Sequence, residues 1–154
     1  MNSVLKYKRM QGKFGLPKLH ELKTTFKIEI NNEGEIFDQI RSEVSERIFS
    51  FSDRIIEPVI SGSESLCCMY EENMITNEER GQLFELYRKI QELRWENNML
   101  MVKPDEKQTA AWIRKTWSLW NDEMGGTLET LCKKMSTSWR KLRVSEEKNV
   151  HYHE

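Results

Sequence analysis

The sequence predicts an all-α protein, an antiparallel bundle of three to four helices with a basic N-terminal arm. Three observations carry this. Apolar residues recur at steps of three and four over residues 33–143. Side chains suited to helix capping stand where those periodic segments begin. Among 154 residues there are only seven glycines and three prolines, too few turn formers for a many-stranded sandwich or barrel. At this length one folding domain is expected, divided into an arm (1–32), a bundle (33–143) and a polar tail (144–154).

The arm is basic. Residues 1–29 carry seven Lys and Arg against Glu21 and Glu29, a charge of +5, whereas residues 30–80 carry −8 and residues 81–154 carry +2. A basic arm beside an acidic segment suggests pairing within the chain or with a second copy. Leu16-Pro17 followed by Leu19 and Leu22 fits the opening of a short helix, since proline suits a first turn. Phe26-Lys27-Ile28-Glu29-Ile30 alternates as a half-buried strand does. A single strand leaves its amides unpaired. Three outcomes are therefore open: pairing with another strand, pairing with a second copy, or packing as an irregular segment.

The first long helix is expected over 33–61. Ile36, Ile40, Val44, Ile48, Phe51, Ile55 and Val59 follow one another at steps of four or three. They cover an arc of about 140° at 100° per residue. Pro58 and Gly62 are stop signals, and the polar stretch 61–72 reads as a connection. Thr76-Asn77-Glu78-Glu79 is a capping box that opens a second helix over 77–101. Pro104 interrupts, and Asp105 is placed to cap a third helix over 106–124. Gly125-Gly126 either ends that helix, with Thr127 capping a fourth over 128–143, or merely kinks one long helix. At about 1 kcal/mol per glycine both outcomes stay open.

Several function classes fall away. No apolar run is long enough to span a bilayer, and no signal-peptide core follows the basic N-terminus. Cys67, Cys68 and Cys132 are an odd count, and adjacent cysteines make a strained bridge, so three free thiols and a cytoplasmic location are expected. Of the three histidines, His151 and His153 sit in the tail and only His20 precedes it, which argues against nucleophilic catalysis. Gly-rich phosphate loops and Cys-x-x-Cys pairs are missing, so no cofactor is expected.

Three readings remain. In the first, the helices carry more apolar circumference than one copy can hide. An edge helix needs about 100° of apolar face. Phe49, Ile56, Ile60, Phe84, Trp95 and Met99 lie outside the main stripes, and Trp117 belongs to a third-helix arc about 180° wide. Such surplus is expected to be covered by the arm or by another subunit. Four such side chains in an interface would contribute roughly 6–12 kcal/mol before association costs. This predicts a non-enzymatic interaction or scaffold protein, homo-oligomeric or bound to a helical partner. In the second reading the arm and Lys133, Lys134, Arg140, Lys141 and Arg143 bind nucleic acid. The third rests on Glu43-Val44-Ser45-Glu46, which resembles half of the metal motif of the all-α MazG-type nucleotide pyrophosphohydrolases. That resemblance implies a divalent ion held by Glu43 and Glu46 and a nucleotide substrate. The family's second half, Glu-x-x-Asp on the next helix, is absent from this chain.

Overall fold

The computed structural model describes residues 2–31, 34–62 and 64–150, with side chains as far as Leu142. The described residues are helical and include no strand. The helices are α1 (Ser3–Phe14), α2 (Leu19–Phe26), α3 (Ile36–Phe51), α4 (Glu57–Ile60), α5 (Leu66–Glu72), α6 (Asn77–Val102), α7 (Glu106–Leu119) and α8 (Gly125–Val150). A π-helical turn at Ser52–Ile56 joins α3 to α4 without a break, and another at Trp120–Met124 joins α7 to α8. The described residues thus form six helical rods rather than three or four.

The N-terminal segment accounts for two of the additional rods, and it belongs to the core. Tyr7, Leu16, Leu22, Phe26 and Ile28 are all buried. Asn2 caps α1 by accepting the Val4 amide at 3.0 Å, and Pro17 precedes α2 as the sequence suggests. Tyr7 donates its hydroxyl to the Pro17 carbonyl at 2.6 Å, tying α1 to the turn before α2. Burial pushes that phenol far above its ordinary pKa.

No strand forms at 26–30, and of the three open outcomes the irregular segment is the one observed. Phe26 ends α2, Lys27 turns the chain in the left-handed region at φ 53°, and residues 28–31 follow as an irregular strap. The alternation is nevertheless real, because Ile28 is buried and Glu29 exposed. The backbone is satisfied by α3 side chains instead of a partner strand. The Glu29 amide donates to Glu43 at 3.0 Å and the Asn31 amide to Gln39 at 3.0 Å.

The remaining additional rod, α5, lies in the stretch expected to be a mere connection. It has no buried residue and so no apolar stripe to read. Ser65 caps it, and Tyr70 anchors it to α8 through a hydroxyl bond to the Ser138 carbonyl (2.8 Å) and ring contact with Trp139.

α3, α6 and α7 form the centre, each packed on the other two, and α1 lies across α3 and α7. Ile40, Ile48, Ile56, Ile90 and Ile113 are almost wholly enclosed there. Both bonds of the capping box at Thr76 and Glu79 are present, and Asp105 accepts the Gln108 amide at 2.7 Å. Between these helices Trp112 donates its indole to the Leu93 carbonyl at 2.9 Å.

Each π turn has a local cause. Proline lacks the amide that would bond four residues back, and its ring crowds that carbonyl. The turn at Ser52–Ile56 widens the helix just ahead of Pro58, with the Glu57 amide reaching the Ser52 carbonyl. In the second turn the Gly125 amide reaches the Trp120 carbonyl, so the glycine pair neither breaks the rod nor starts a new cap. A Cβ on Gly125 would sit 3.2 Å from the Trp120 carbonyl oxygen and 3.3 Å from its ring, whereas one on Gly126 meets nothing within 4 Å. The Trp120 ring cannot retreat, because Phe26 at 5.4 Å and Phe51 at 5.7 Å hold it. Gly126→Ala is therefore expected to stabilise the chain by up to about 1 kcal/mol. Gly125→Ala is expected to lower the melting temperature, and thermal unfolding of the two variants checks the opposite signs.

α8 continues past Arg143 to Val150, beyond the expected end of the last helix. It docks on the start of α6 where Lys134 pairs with Glu79 at 2.6 Å. That cation, with the Thr76 amide as a second contributor, holds the Glu79 carboxyl below its ordinary pKa. The folded state thus gains stability above the unfolded pKa of Glu, about 4.3, and loses it as pH falls through the lower folded value. Replacing Glu79 by Gln is expected to flatten the fall in urea midpoint between about pH 6 and about pH 3.

Candidate association surface

The surplus apolar residues divide into two sets. Ile56 is fully buried, and Phe49, Ile60 and Trp117 are partly buried against the core. The N-terminal helices do part of this covering: Phe26 meets the Trp117 ring edge-on at 5.9 Å. Phe49 is capped by the Arg94 guanidinium 4.8 Å from its centroid, which Asp53 in turn holds at 2.6 Å.

The second set is open. Phe84 is 58% exposed, Trp95 70% and Met99 63%, and all three project from α6. Val102, at 85%, extends the set to the end of the helix. α6 buries Leu83, Leu86, Ile90, Leu93, Asn97 and Leu100 on its inner side. At 100° per residue, Phe84, Trp95, Met99 and Val102 fall on the opposite side of the helix. α6 is thus apolar on two faces, of which the protomer covers one.

Beside that outer face runs a groove of about 670 Å³ between α6 and α7. Trp95, Met99, Leu100, Ala111 and Trp112 line it, and Lys115 bonded to Glu96 at 2.6 Å spans it. Gln91, Glu92 and Gln108 complete its edge. An apolar floor with a charged rim is the composition of a protein-binding surface.

The other predicted residues are more scattered. Lys133 pairs with Glu129 at 2.8 Å and Lys134 with Glu79, so both cations are engaged within the protein. Arg140 and Lys141 are exposed, while the Arg143 side chain lies outside the described residues, as do His151 and His153. In the N-terminal helices Lys8, Lys18, His20 and Lys23 surround a second cleft of about 710 Å³. Glu43 accepts the Glu29 amide and Glu46 points to solvent. Among the described residues no group of three or more His, Cys, Asp or Glu side chains converges.

The three cysteines are free thiols. Cys67 donates to the Glu71 carboxylate at 3.0 Å, and this bond pushes the thiol above its ordinary pKa. A thiol held protonated is a poor nucleophile. No helix among the described residues is long and apolar enough to cross a membrane.

Fold and surface together define the class: an all-α bundle with an exposed apolar helix face beside an apolar groove. The chain matches no protein-family model, no curated protein and no solved structure.

Proposed function

We propose that this protein is a non-enzymatic helical interaction protein that self-associates through the outer face of α6. The single observation that carries the reading is Trp95, left 70% exposed at the lip of an apolar groove. Trp is among the side chains most concentrated at association surfaces, and contiguous exposed apolar patches mark binding sites. Sedimentation at micromolar concentrations tests the reading. A concentration-dependent dimer is expected, and a strict monomer would defeat it.

A second reading, polyanion binding, draws support from the cleft edged by Lys8, Lys18, His20 and Lys23. Its test is salt-sensitive retention on heparin.

A further inference from the structure

We infer that two copies pair through α6 in antiparallel fashion, in the register that sets Phe84 against Met99, Arg88 against Trp95 and Gly81 against Val102 of the second copy. This rests on the proposed self-association and specifies its geometry. The six residues lie on one outer strip of α6, since their spacings keep them within about 60° at 100° per residue. A closed two-fold pair requires that residue i meet residue j while j meets i. Residues 81 and 102, 84 and 99, and 88 and 95 are symmetric about the 91–92 peptide, so a single two-fold axis there satisfies all three pairs.

Each pair is chemically matched. The Phe84 ring would receive the Met99 thioether, a soft sulfur–aromatic contact. Arg88 is held at its edge by Glu85 at 2.8 Å and by Glu92 at 3.6 Å, which leaves the guanidinium plane to stack on the indole of Trp95. Gly81 has nothing within 4 Å of where a Cβ would stand, leaving room for Val102. The alternatives fit less well. A parallel pair in register sets Arg88 on Arg88 across the seam, like charge on like. An antiparallel pair slipped by four residues sets Met99 opposite Arg80, whose guanidinium is already bonded to the Val59 and Glu72 carbonyls. The chosen register carries one cost, the approach of the two Glu92 side chains at the axis, each beside the Arg88 of its own chain.

Cysteine cross-linking in the full-length chain tests the register. Cys67, Cys68 and Cys132 are first replaced by Ser, and single cysteines are introduced at exposed positions of α6. Glu92→Cys, at the axis, is expected to oxidise to a disulfide-linked dimer. Phe84→Cys alone is expected to stay uncross-linked, because its copy stands about 22 Å away along the helix at 1.5 Å per residue. A mixture of Phe84→Cys and Met99→Cys chains is expected to give the mixed dimer. Circular dichroism of each reduced variant confirms that the fold is kept. A dimer in sedimentation that cross-links through Phe84→Cys alone and not through Glu92→Cys would overturn the antiparallel register while leaving self-association intact. A strict monomer would overturn both.

Discussion

Phe26→Ala is expected to cost about 3–5 kcal/mol, the range for truncating a buried aromatic side chain. Phe26 ends α2 at 1% exposure and stands edge-on to Trp117 and Trp120, at 5.9 and 5.4 Å between centroids. Its removal would leave a cavity under two tryptophans and free the Trp120 ring that braces the second π turn. Edge-on aromatic pairs add to the loss beyond the area uncovered. A domain of this size is stable by only about 5–15 kcal/mol in all, so a large drop in urea midpoint is expected, with red-shifted tryptophan emission before global unfolding. Lys23→Ala, on the exposed side of the same helix, should change stability by about 0.5 kcal/mol or less. A loss of under about 1 kcal/mol for Phe26→Ala would mean that the N-terminal helices are an appendage after all.

That outcome also marks where sequence reasoning ran short. The long helices were legible because each has a wide inner stripe, and two of them a side-chain cap as well: Ile36 to Val59, the Thr76 box before α6, and Asp105 before α7 all stand where the pattern puts them. α1 was not, since of its twelve residues only Tyr7 is buried. One anchor per helix makes no periodicity. The alternation at 26–30 reported burial correctly and left the hydrogen bonding open. Period two says which side chains face inward, not what receives the amides, and here Glu43 and Gln39 on α3 do so. The π turns have no periodic signature. Pro58 and Gly125 hint at them only once the structure shows what each residue relieves.

The surface was half legible for a related reason. Off-stripe apolar residues indicate that a helix touches something on a second side, but not what. For Phe49 that second side is Arg94, and for Trp117 it is Phe26 from the far end of the chain. For Phe84, Trp95 and Met99 nothing comparable is found among the described residues. The same pattern thus produced both outcomes, decided by whether another element, α6 for Phe49 and α2 for Trp117, reaches the residue. The basic residues of α8 illustrate the converse: Lys133 and Lys134 are spent on Glu129 and Glu79, ion pairs invisible to a count of charges.

Trp95→Ala is expected to weaken self-association at least about 30-fold, the equivalent of about 2 kcal/mol or more for a central aromatic anchor. The fold should barely notice. Trp95 is 70% exposed, and surface substitutions away from caps, cavities and buried networks change stability by about 0.5 kcal/mol or less. The two readouts therefore separate. The urea midpoint, taken at a concentration where the wild type is monomeric, should match wild type, while the dimer dissociation constant from sedimentation should rise. Trp95→Phe keeps an aromatic face and should recover part of the affinity. Val102→Ala, at the rim of the same strip, should cost less than Trp95→Ala, since peripheral contacts mostly exclude water from the centre. A Trp95→Ala dissociation constant within about twofold of wild type, a difference under about 0.5 kcal/mol, would move the association surface away from α6 altogether.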